Sequence, residues 1–218
     1  MRKRAIPTRR RQALRWLCAV LLLVLMNNIV HHTYYLLPVQ PLWETEERFG
    51  CGRLRTVTAL WEPDMHCIQR MYLRENENAT LLSDVCLSFR GWTSRAGVVL
   101  DCSGGEPLYA GQMALTWQDT DTVYYIFGRV NDPAIASIHV SFRGVMTDRE
   151  VLGLDTRRSE WLEQGGRTYF LLRQPPFDWL ADWGESHTSI TAYDSEGRVV
   201  MELNNLSNRS AYVYGIGR

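Results

Sequence analysis

The sequence predicts a mostly β chain: an N-terminal transmembrane helix followed by an antiparallel β-sandwich or two packed small β-sheets. Three observations carry this expectation. An unbroken apolar run, Trp16 to Met26, follows an arginine-rich start. Beyond residue 50, about ten short segments have strand-like patterning and are bounded by turn residues. Four cysteines, Cys51, Cys67, Cys86 and Cys102, all lie in the first half of that region.

The apolar run needs its flanks to make an anchor. Eleven residues are too few, because a span takes about 20. Leu14 to Leu37 is long enough, with Trp16 at one end and Tyr34 and Tyr35 at the other, as an aromatic belt requires. The rival is a cleaved signal peptide, which the basic start and the length of the apolar run also fit. Asn27 to Thr33 offers no small-x-small cleavage site, which favours the uncleaved anchor. Seven basic residues precede Trp16 and no acid does, so the N-terminus is expected in the cytoplasm and the remainder outside the cell membrane.

The rest of the chain is acidic. Of 24 Lys and Arg, the seven before Trp16 leave 17 against 24 Asp and Glu, a balance of −7. A folded part of that sign argues against nucleic acid as a partner. With 218 residues, 45% of them hydrophobic, and eight Trp, the chain can build a real core of one ordinary domain or two very small ones.

An even number of cysteines in an oxidising compartment reads as disulfides. Residues 65–90 read as a hairpin turning in Glu75 to Ala79, which lays Cys67 nearly opposite Cys86. Cys51 and Cys102 then share the far end, so the expected bonds are Cys67–Cys86 and, by elimination, Cys51–Cys102. No C-x-x-C pair is present and only His66 lies near any of them, which weighs against zinc.

The segments read as strands are 53–61, 66–73, 81–90, 97–102, 107–117, 122–130, 135–142, 167–173, 189–194 and 198–203, while 155–164 and 174–184 read as loop or one helical turn. The divisions that follow are a basic cytoplasmic tail (1–15), the anchor (14–37), a linker with a short helix ending at Gly50 (38–50), a cystine-stapled β-meander (51–117) and an Ig-like β subdomain (118–218).

Three stretches, YYIFGRVNDPAIASIHVSF, GRTYFLL and ITAYDSEGRVV, resemble the C-terminal half of membrane-anchored or secreted β-domain proteins of uncharacterised function in Bacillus-like Gram-positive bacteria. YLRENEN followed by FRGWTS is similar to their first half. The resemblance implies a fold and a location and no activity.

Few residues suggest chemistry. Asp119-Thr120-Asp121 is a D-x-D that could hold a metal, but it sits where a turn is expected. Asp178, Asp182 and Glu185 could pair as glycosidase carboxylates do, yet they stand in a Pro- and Trp-rich loop and read as a solvated face. His139 alternates with Ile138 and Val140 and should point out of its sheet. Trp161, Trp179 and Trp183 cluster in loops, where exposed rings could stack on sugars.

The expectation is therefore a non-catalytic interaction or structural protein of the cell envelope, held by its N-terminal helix, with no cofactor. The alternative is a carbohydrate- or wall-polymer-binding module using Trp161, Trp179 and Trp183. The expected partners are the membrane and an envelope protein or polysaccharide.

Overall fold

The structure, a computed structural model, describes residues 9–31, 35–62, 68–88, 91–116, 122–144, 150–174, 186–206 and 211–214. Two helices, α1 (Arg9–His31) and α2 (Val39–Phe49), precede thirteen strands among these residues. The strands form three antiparallel sheets, so the mostly β expectation holds and the number of layers exceeds the two foreseen.

The first sheet is a meander of β1 (Arg55–Glu62), β2 (Ile68–Glu75), β3 (Ala79–Ser88) and β4 (Gly91–Asp101), with β13 (Ala211–Tyr214) added beside β4. The middle sheet runs β5 (Leu108–Thr116), β6 (Thr122–Val130), β10 (Arg167–Arg173) and β9 (Leu162–Gln164). The third runs β12 (Val199–Leu203), β11 (Ser186–Tyr193), β7 (Ser137–Gly144) and β8 (Glu150–Arg157). The middle sheet takes β5 from one side of residue 117 and its other strands from beyond it, and β13 returns to the first sheet. The sheets therefore do not divide where the cysteines run out.

Alternation along β6 builds the stack. Val123, Tyr125 and Phe127 enter one core with Met71, Leu73, Leu82 and Val98 of the first sheet. Ile126 and Val130 enter another with Ile138, Val140 and Ile190 of the third. A strand buried on both faces has no polar side to show, which is why Val123 to Phe127 reads as a continuous apolar run. Each such side chain contributes about 1.5–3 kcal/mol by burial. Gly128 lets its two neighbours within the middle sheet close over it, because a Cβ there would overlap the Tyr109 carbonyl oxygen of β5 and the Phe170 ring of β10.

α2 covers the outer face of the first sheet with Pro41, Leu42, Thr45 and Glu46. It begins at Val39, before the acids, and Pro41 is tolerated because first-turn N–H groups have no helical acceptor. Gly50, at φ 64°, ends it in the left-handed region, and the N–H groups of Gly50 and Cys51 bond back to Glu47 and Glu46.

α1 ends at His31, and Tyr35 already belongs to the folded domain. Its carbonyl accepts from Trp92 N (2.8 Å) and its hydroxyl donates to Glu44 (2.6 Å). Burial and the Glu44 carboxylate together push the Tyr35 hydroxyl up to about 12. Residues 35–37 are thus not part of a helical anchor. Among the described residues no helix is long and apolar enough to cross a membrane.

The cysteine bonds require correction. Cys51, Cys86 and Cys102 are free, and Cys67 lies outside the described residues. The hairpin turns between Glu75 and Thr80, where Asn76 Oδ1 accepts from the N–H groups of Asn78 and Ala79, so the residue opposite Cys86 is Gln69. The Cys86 thiol instead lies 3.3 Å from Thr93 Oγ1. Cys51 and Cys102 do share one end: Asn76 Nδ2 donates to Cys51 O, and Cys102 N donates to Asn78 O. They face opposite sides of the sheet, however. Cys51 packs beneath α2 near Leu54 and Leu81, whereas Cys102 is buried between the first and middle sheets.

Candidate functional site

The richest collection of polar side chains lies on the outer face of the third sheet. Ile138, Val140 and Ile190 point inward to the core, so their strand neighbours point out. Register then lines those neighbours up across four strands. Glu202, Thr191, His139 and Asp155 form one transverse row, and Ser189, Ser141 and Gly153 form the next. Ser189 of the second row and Thr191 of the first line a depression in this face. A shallow cleft of about 440 Å³ opens there between Arg143 and His187 on one side and Glu202, Asn204 and Asn205 on the other. Asn205, at φ 58°, is a non-glycine residue in the left-handed region at the rim of this cleft.

His139 sits between two carboxylates, with Nδ1 2.8 Å from Asp155 and Nε2 3.3 Å from Glu150. Its partial burial favours the neutral ring, but the hydrogen bonds and charges of Asp155 and Glu150 outweigh that and raise its pKa above the ordinary value. The Glu150 carboxyl lies over Gly153, in space that a side chain there would fill. Ser141 Oγ donates to Glu150 (3.0 Å) rather than to His139. With both ring nitrogens engaged by carboxylates, His139 has no acceptor to offer the serine, so this trio is not an activated nucleophile. What the face presents is a grid of donors and acceptors suited to hydrogen bonding a polar ligand.

Three further polar clusters each centre on a buried carboxylate and serve as clamps between elements. Glu46 of α2 pairs with Arg74 of β2, and Arg74 also donates to the Leu54 carbonyl. Glu75, fully buried, accepts from Arg55 of β1 and from Arg167 of β10 (3.0 Å), which ties the first sheet to the middle one. Asp84 sits at an irregularity in β3, where it accepts from Ala96 N (2.5 Å), Gln69 Nε2 (3.2 Å) and Arg95 Nε (3.3 Å). Burial pushes its carboxyl pKa up despite those donors.

The residues singled out in the sequence fare differently. Trp161 is not an exposed platform: it is 8% exposed, tilted against Phe170 at 6.4 Å, with Nε1 donating to Thr156 Oγ1 (3.1 Å). The short 3-10 turn Arg158–Glu160 swings it inward. Trp179 and Trp183 lie outside the described residues, as do Asp119, Asp121, Asp178, Asp182 and Glu185. His139 lies on the outward face as its alternation indicated. Glu150, Asp155, Thr191 and Glu202 were not foreseen, because only strand pairing brings them to one row.

Among the described residues no group of three or more His, Cys, Asp or Glu side chains is arranged to hold a metal ion. No protein-family model, no curated protein and no solved structure matches the chain.

Proposed function

We propose that this protein is a membrane-anchored, extracytoplasmic β domain acting as a non-catalytic interaction or structural protein of the cell envelope. The observation that carries the reading is α1. Its side chains from Trp16 to Met26 are all exposed, covered by no other element among the described residues, and four arginines stand ahead of them. An apolar helix surface without a protein partner is suited to lipid. Leu14 to His31 rises about 27 Å at 1.5 Å per residue, short of the roughly 30 Å of hydrocarbon, a mismatch that local thinning of the bilayer would meet, and the arginines would hold the N-terminus in the cytoplasm. Protease added to intact cells is expected to remove the domain and leave a small membrane-bound stub. A mature protein in the medium beginning near residue 33 would sink the anchor.

The outer face of the third sheet favours a second reading, a module for wall polysaccharide. Trp161 is withdrawn from that role by its burial, and the cleft between Arg143, His187 and Glu202 takes its place. Titration of soluble wall-glycan fragments should shift the resonances of Ser189 and Thr191, and a Thr191→Ala variant should weaken binding. Binding unchanged in that variant would count against the cleft.

A further inference from the structure

We propose that the end of the first sheet bearing Trp61, Ile68 and Trp92 rests in the headgroup layer of the same membrane from which α1 emerges. The inference rests on the anchor reading above and adds to it a second, lateral contact made by the folded domain.

The surface itself is unusual. Trp61 is 58% exposed and Ile68 48%, and Leu36 and Leu37, which follow Tyr35, are 50% and 57% exposed. Register puts these strand residues together. Ile68 pairs with Leu87 and Leu87 with Trp92 in one row, while Trp61 pairs with Arg70 in the row beside it. The Arg70 guanidinium lies 3.8 Å over the Trp61 ring and 6.0 Å from Trp92. This is an apolar patch with a cation set among its aromatic rings.

Chain connectivity says what covers it. Trp92 N bonds Tyr35 O at 2.8 Å, and only four Cα steps separate Tyr35 from His31, the last residue of α1. Four steps reach at most about 15 Å. The last residue of α1 therefore lies within about 15 Å of Tyr35, which itself bonds to the patch at Trp92. The other end of the same sheet, roughly 25 Å along its strands, carries Arg53, Arg55 and Asn76 around Glu75, with Arg167 of the middle sheet beside them. One end of the domain is built for the interface and the other for water. Trp and Arg are the residues that settle at headgroup depth, the indole straddling the boundary and the guanidinium reaching phosphate. The contact would hold the domain in one orientation on the membrane instead of letting it swing from its linker.

Full-length protein reconstituted into phosphatidylcholine vesicles tests this, using lipid brominated near the headgroup as a fluorescence quencher. Flotation and the Trp16→Phe difference spectrum report the anchor. The Trp61→Phe difference spectrum reports the patch. The expected result is flotation, quenching of Trp16, and at least a halving of the Trp61 signal relative to unbrominated vesicles. The side chain of Trp61 is largely exposed, so the variant should keep its near-ultraviolet circular dichroism. Flotation with Trp16 quenched and Trp61 unquenched would overturn the proposal and leave the anchor standing. Failure to float would overturn both. Dimerisation in detergent that Trp61→Ser abolishes, with Trp61 unquenched in vesicles, would give the patch to a second copy of the chain.

Discussion

Glu46 of α2 and Arg74 of β2 form an ion pair that is almost wholly enclosed, with side-chain exposures of 2% and 5%. The pair fixes the helix to the sheet at the point where Leu42 and Phe49 supply the apolar contacts. Burial works against both charges, raising the Glu46 pKa and lowering that of Arg74, and their attraction offsets the cost only while both are present.

Removing one partner should therefore hurt more than removing both. Glu46→Ala or Arg74→Ala is expected to cost about 3–5 kcal/mol. The double variant Glu46→Leu, Arg74→Met should recover most of that loss. Denaturant unfolding of the full chain in detergent measures it. Single and double variants of equal stability would show that the pair is not the clamp.

Gly128 faces Phe170 across β6 and β10, and its missing side chain is what lets the Phe170 ring and the Tyr109 backbone approach. Gly128→Ala should cost about 1–3 kcal/mol through overpacking, a fall of about 2–4 °C in Tm for each kcal/mol. An unchanged Tm would mean the ring does not lie against this strand.

His139 makes stability depend on pH in a definite direction. Its folded pKa is raised above 6.5 by Asp155 and Glu150, so the native state binds its proton more tightly than the unfolded chain does. The stabilisation is fully present below the unfolded pKa and is lost as pH rises through the folded one. Because the cluster is partly exposed, the effect should stay within about 1 kcal/mol. Tm of the wild type should fall more than that of His139→Gln as pH rises above about 6.5. Parallel curves would mean that the two carboxylates do not hold the ring.

Much of the fold is legible in single segments. Alternation such as Ile138, His139, Val140 places a strand and its outward residue correctly, and ten strand segments can be read this way. β8 is harder, because Gly153 interrupts the pattern where the Glu150 carboxyl needs room. β9 has only three residues, too few for any period. The third layer was encoded in the unbroken Val123 to Phe127 run, which leaves no face for solvent. Pairing between distant segments is another matter. Nothing near His139 in sequence announces Thr191 or Glu202, and nothing near Trp161 announces that Phe170 will receive it.

The cysteines make the same point, and their state can be measured. Segment order places Cys51 and Cys102 at one end of the first sheet but does not say that the sheet lies between them. A bond joining them would close a loop of about 50 residues and stabilise by roughly 4 kcal/mol. With the thiols free, reductant should leave Tm unchanged, and Cys51→Ser should cost little. Burial pushes both thiol pKa values up, the nearby Glu46 charge adding to this at Cys51, so neither thiolate is favoured near neutral pH. A maleimide is therefore expected to label Cys51 slowly and Cys102 only after unfolding, with no reductant needed for either. A linked Cys51–Cys102 peptide recovered from a non-reducing digest, with a Tm that drops several degrees on reduction, would show that the two sulfurs meet and that the sheet does not separate them.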